Sequence, residues 1–223
     1  KLLQAGASVG AHHSGGREGA TADIAALAAF GQIMSFKADF SDSSQVLGLW
    51  DEFIAWAGTI DILVNNAGDA SDPTSYDELS ELAWDRTFAV NVKAPFLLAR
   101  SAMAVMRAQS SGRIINISSI GVKFGGGRTT VHYSASKAAL EAVTRSLSKV
   151  GAPDNILVNA IRAGVTDTPF HERIGITDLT ERTELIPMKR IARPEEIADA
   201  VLYLSSAESS YVAGIVLTVA GGE

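Results

Sequence analysis

Residues 61–68 read DILVNNAG, a short apolar run that stops abruptly in two asparagines, a small residue and a glycine. Near-continuous apolar character over so few positions suits a parallel strand covered on both faces. Gly68 permits a positive φ or a close backbone approach, and Asn65 and Asn66 can hold a turn or meet a ligand. The same pattern recurs along the chain. Strand-like runs fall at 8–13, 32–38, 60–65, 113–118, 156–161 and 214–219, separated by amphipathic helical stretches near 17–30, 43–57, 80–109, 131–150 and 194–206. Alternating strands and helices imply right-handed crossovers and an α/β, doubly wound parallel sheet. With no repeat, low-complexity tract or linker, residues 1–223 read as a single domain. Sheets of this kind bind ligands at the carboxyl ends of their strands.

Bulk composition narrows the chemistry. Hydrophobic residues make up 47% of the chain, as in an ordinary globular core. No apolar run approaches the roughly 18–20 residues of a membrane helix, and no secretory signal is apparent, so a soluble, cytoplasmic protein is expected. The net charge is −6 with 19 scattered basic residues, which speaks against nucleic acid as a partner. Cysteine is absent, which removes disulfides, thiol nucleophiles and thiolate metal sites. His12 and His13 are adjacent in a strand and point to opposite faces, so no protein-bound metal is expected.

Chemistry-bearing residues cluster at strand ends. GRIINISS ends a strand in Ser118 and Ser119, and fourteen residues on, VHYSASKAAL places Tyr133 and Lys137 four apart on one helical face. That spacing alone is weak, since chance supplies roughly one such pair in every eight chains of this composition. Its setting carries the weight. NNAG (65–68), NV (91–92), YSASK (133–137), NILVNAIRAG and the tail IPMKRIARPEEIADAVLYLSS follow one another in fixed order. Together they resemble the short-chain dehydrogenase/reductase family, in its single-domain, 3-oxoacyl-carrier-protein reductase-like branch, from about Leu2 to Gly222.

The resemblance implies a catalytic tetrad of Asn91, Ser119, Tyr133 and Lys137. It favours Ser119 over Ser118, assigns Asn91 to anchoring a relay water at a helical kink, and gives Lys137 the nicotinamide ribose as well. An ammonium near the phenol would lower its value from the usual 10 and make Tyr133 a usable acid and base. The implied coenzyme is a nicotinamide dinucleotide. Its expected contacts are Ser14, Arg17, Asp39, Phe40, Asn65, Asn66, Ala67, Gly68, Tyr133, Lys137, Gly164, Thr166 and Thr168. Where NAD-preferring members carry an acid after the second strand, this chain has His13 and Ser14, followed by Arg17, which could pair with a 2′-phosphate. NADP(H) is therefore favoured over NAD(H).

Some positions depart from the family pattern. The family's first strand and Gly-rich turn should precede the helix that ends KLLQAGAS, so the polypeptide is expected to be longer by roughly 20–25 residues. Ala163-Gly164 replaces the usual Pro-Gly, and VAGG closes the chain in place of Val-Asp-Gly-Gly. Substrate choice should lie in 122–131 and in 170–186, which reads as a lid of two short helices. The expected function is hydride transfer between NADP(H) and a small carbonyl or alcohol, in a homotetramer. The alternative is a non-catalytic nucleotide- or ligand-binding protein on the same fold.

Overall fold

A computed structural model describes residues 1–15, 20–70 and 72–223. All six strand-like runs form strands: β1 (Val9–His13), β2 (Ile33–Lys37), β3 (Ile62–Asn65), β4 (Gly112–Ser119), β5 (Ile156–Ala163) and β6 (Val216–Val219). The helices are α1 (Ala20–Ala26), α2 (Ser43–Ala57), α3 (Glu81–Phe88), α4 (Ala94–Gln109), α5 (Gly121–Phe124), α6 (Val131–Gly151), α7 (Phe170–Arg173), α8 (Thr180–Leu185) and α9 (Pro194–Ser205). Pairing is parallel throughout, in the orders β1-β2 and β3-β4-β5-β6. β1 and β3 are not bonded to each other. Between them lies a cleft of about 720 Å³, lined by residues that include Gly10, His12, Phe40, Trp50, Leu63 and Asn65.

The two-residue period of β4 sorts its side chains between the sheet faces. Ile114 joins Met106, Ala102, Ile156 and Val158 under α4, while Ile115 and Ile117 pack with Ile161 and Leu204 under α9. On the α4 face the even-numbered positions continue as Asn116 and Ser118, and these meet α6. This alternation decides where each serine at the end of β4 can point.

Local signals set the helix limits. Asp42 caps α2 by accepting from Ser44 N at 2.8 Å. Pro194 opens α9, where the Glu196 carboxylate reaches back to Arg193 N at 2.8 Å. Between α3 and α4 the helix widens into a π turn, Ala89–Lys93, at the place expected to kink. Within the continuous helical run Glu81–Gln109, an 18-residue window reaches a mean hydropathy of 1.2, long and apolar enough by composition alone to cross a membrane. Half of that window is buried within the fold, so its apolar surface serves the core.

Candidate active site

The carboxyl edge of β4 and the first turns of α6 bring three of the expected tetrad side chains together. Ser119 stands on the last position of β4, opposite in pleat to Ser118. It accepts from Gly121 N at 3.1 Å, and its hydroxyl neighbours the Tyr133 phenol, on which it acts to favour the phenolate. Ser118 points the other way, into the protein, and donates to Glu141 Oε1 at 2.8 Å. Pleat geometry thus separates two serines that composition alone cannot.

Lys137 is 3% exposed and donates to the Ile117 carbonyl at 2.8 Å, with its ammonium 5.7 Å from the Tyr133 ring centre. Burial lowers its amine to about 8. The Tyr133 phenol moves opposite to the expectation: desolvation raises it, and the Ser119 hydroxyl offsets that only in part. Water removal disfavours the charged phenolate more than the Ser119 hydroxyl favours it.

Asn91 lies in the π turn and is fully buried. Its Oδ1 accepts from Asp69 N at 2.8 Å, and its Nδ2 donates to Asp69 O at 2.8 Å and Ser136 Oγ at 2.9 Å. The side chain therefore ties the loop after β3 to α6, one residue before Lys137. Gly68 completes this corner, since a Cβ there would come within 3.4 Å of Lys137 Nζ.

The expected coenzyme contacts fall into separate groups. Asp39 and Phe40 follow β2 at its carboxyl end, where hydrogen bonds from Ser41 N and Oγ lower the Asp39 carboxyl. Phe40 stacks on His12 with ring centres 3.7 Å apart. Ser14 is exposed just past β1, whereas Arg17 lies outside the described residues. Asn66 is exposed, and Ala67 packs near Phe40. Asn65 turns inward and donates to Asn116 Oδ1 at 2.8 Å, so it serves the core; Asn116 in turn donates to Thr144 Oγ1 at 2.8 Å. Beyond β5, Thr166 donates to Gly164 O at 3.0 Å and bridges to Ala192, and Thr168 is exposed nearby. Gly164 is required by packing, because a Cβ would meet Ala220 Cα at 2.7 Å.

Two further side chains stand near the site, Phe170 from the expected lid segment and Lys37, which escaped the sequence reading. Phe170, the first residue of α7, sets its ring 5.3 Å from that of Tyr133, and α7 and α8 are the expected short helices of the lid segment. Lys37 pairs in register with His13, and its Cε lies 2.3 Å from where a Cβ on Gly15 would stand. Its position as the last residue of β2, beside the end of β1, was the available signal.

Residues 1–223 match the family model described as enoyl-(acyl carrier protein) reductase. Among curated proteins, the acetoacetyl-CoA reductase of Acinetobacter sp. (strain RA3849) is 37% identical over 185 residues, covering 82% of this chain and 73% of that protein. The 3-oxoacyl-(acyl-carrier-protein) reductase of Aquifex aeolicus (strain VF5) is 41% identical over 163 residues, covering 73% and 65%. Among solved structures, NAD⁺-bound xylitol dehydrogenase superposes with a TM-score of 0.89 at 26% identity, covering 99% of this chain and 91% of that one.

Proposed function

The chain belongs to the short-chain dehydrogenase/reductase family and is an NAD(P)-dependent enzyme of it; on that premise we propose that it transfers hydride between NADP(H) and a carbonyl or secondary alcohol, with Tyr133 moving the proton. The observation that carries this reading is the Tyr133–Ser119 hydroxyl pair at the carboxyl edge of β4, with the Lys137 amine beside it. A carbonyl oxygen placed between the hydroxyls would meet two donors. Ser119 would stabilise the charge that develops there, and Tyr133 would hand over its proton. Burial keeps the phenol protonated at neutral pH, the form that carbonyl reduction requires. Once the proton leaves, the Lys137 ammonium would favour the phenolate.

The residues fit a dinucleotide coenzyme, which supplies the hydride when bound. Gly68 leaves room beside the Lys137 amine, and the Phe40–His12 stack stands at the carboxyl ends of β1 and β2. NADP(H) is the favoured coenzyme because His13 and Ser14, not an acid, stand at the end of β1, and the Lys37 ammonium reaches over Gly15, where a 2′-phosphate could take it. Trp50 and Trp56 line the cleft, so intrinsic fluorescence should report nucleotide binding. Titration with NADPH should quench it at lower concentration than NADH. Equal affinities would overturn the coenzyme choice, and no response to either, with no turnover of any ketone, would overturn the function.

A homotetramer suits the exposed apolar side chains. Large apolar side chains stand exposed at Leu82 and Trp84 of α3 and Phe96 of α4, and again at Val150, Tyr203, Tyr211 and Ile215. Light scattering should return four times the mass of one chain, and a monomer would refute the assembly.

A further inference from the structure

Glu141 is a carboxylate only 2% exposed that the chemistry above does not use. It lies one helical turn beyond Lys137 on the sheet-facing stripe of α6. An ion held so deep is costly unless its bonds are well met. Here they are: Oε1 accepts from Ser118 Oγ at 2.8 Å and from Arg162 Nε at 2.9 Å, and Oε2 accepts from the same guanidinium at 2.6 Å. Ser118 and Arg162 are register partners on β4 and β5, so one carboxylate gathers two strands and a helix. An apolar side chain would bury equally well at this position without fixing any direction, since hydrophobic contact is non-directional.

What Ser118 adjoins gives the bond its meaning. The residue before it offers the carbonyl that receives the Lys137 amine, and the residue after it carries the hydroxyl that meets Tyr133. We propose that Glu141 is a positioning residue: by clamping Ser118 and Arg162 onto α6, it sets the separations among Ser119, Tyr133 and Lys137. This rests on the functional reading above.

The test compares Glu141→Gln, Ser118→Ala and the double variant with the wild type, following kcat, the nucleotide KM and the melting temperature. A glutamine keeps the shape but replaces one acceptor oxygen with an NH₂, so in either orientation one of the two guanidinium bonds must open, while the serine hydroxyl, able to donate or accept, can stay paired. Misplacing reacting groups by a fraction of an ångström should lower kcat about tenfold and leave the nucleotide KM within about twofold. Ser118→Ala, which retains the ion pair, should fold like the wild type and lose a similar factor. The double variant should be no worse than the poorer single, because both changes cut one linkage. Ser118→Ala with wild-type kcat, or multiplying losses in the double variant, would overturn the role, as would a Glu141→Gln variant that loses melting temperature but not kcat. A wild type that reduces no carbonyl with either nucleotide would instead refute the functional reading, and the role with it.

Discussion

Helices α4 and α6 lie on the same face of the four-stranded sheet but hold to it by different means. α4 buries Ala94, Pro95, Leu98, Ala99, Ala102, Met103 and Met106. α6 buries His132, Ser134, Ser136, Lys137, Glu141, Thr144 and Ser148, with Leu140 the one large hydrocarbon side chain among the residues it buries. Apolar contact rewards area and tolerates small shifts, whereas each polar contact of α6 has a preferred distance and angle. Ser118–Glu141, Ile117–Lys137 and Asn116–Thr144 bind three neighbouring positions of β4 to three turns of the helix. The contrast assigns cohesion to α4 and alignment to α6, and it is open to attack at both ends.

The largest effect belongs at the α6 edge. Tyr133→Phe keeps the ring and its contact with Phe170 but removes the proton, so turnover should fall by roughly 10²–10⁴-fold, the usual worth of a general acid. Fluorescence titration should show nucleotide affinity within about twofold of wild type. Retained turnover would place the proton donor elsewhere. At the α4 end, Met106→Ala empties a fully buried position between Ile114 and Ile156. It should cost about 2–5 kcal/mol of stability, read by denaturant unfolding, with kcat unchanged well below the melting temperature. A kinetic defect there would end the division of labour.

Lys137 tests whether alignment carries a stability cost. Its amine titrates near 8 in the fold, below the ordinary lysine value, because burial penalises the charged form. Below pH 8 the native state must hold that charge. As pH rises from about 8 towards the ordinary value near 10.4, the native amine sheds its proton while the unfolded chain keeps it, so the unfolded state binds more protons and stability gains. Lys137→Met has no such term. Its melting temperature relative to wild type should therefore be highest below pH 8 and decline by a few degrees from pH 8 to 10. A difference that stays flat with pH would show that the amine is not penalised in the fold.

Much of this was legible in the sequence, and the misses have physical causes. Strands such as ILVNAIRA are nearly all apolar and sit between turn-forming residues, so β5 and its neighbours could be placed from pattern alone. YSASK showed that Tyr133 and Lys137 share a face, and the structure joins them to Ser119. What pattern could not supply was direction. Asn65 reads as a ligand contact until Asn116, 51 positions away, is seen to receive its amide. The Tyr133 phenol reads as lowered while its neighbour's charge is in view, and as raised once its burial is. Phe170 reaches Tyr133 through a lid whose course no periodicity describes.

The smallest effect should come from the far end of the polar stripe. Thr144 receives the Asn116 amide at 2.8 Å and donates to Leu140 O at 2.8 Å, deep between α6 and β4. Thr144→Val preserves shape but leaves the amide without an acceptor, at a cost of about 1–3 kcal/mol. If alignment is local to the edge, kcat should change less than about twofold, because Thr144 lies nearly two turns beyond Lys137 and the Glu141 clamp stands between them. If the whole stripe instead acts as one rigid rail, Thr144→Val should lower kcat as much as Glu141→Gln does. Measuring both variants at one temperature, well below either melting point, separates an edge-confined device from a helix-long one.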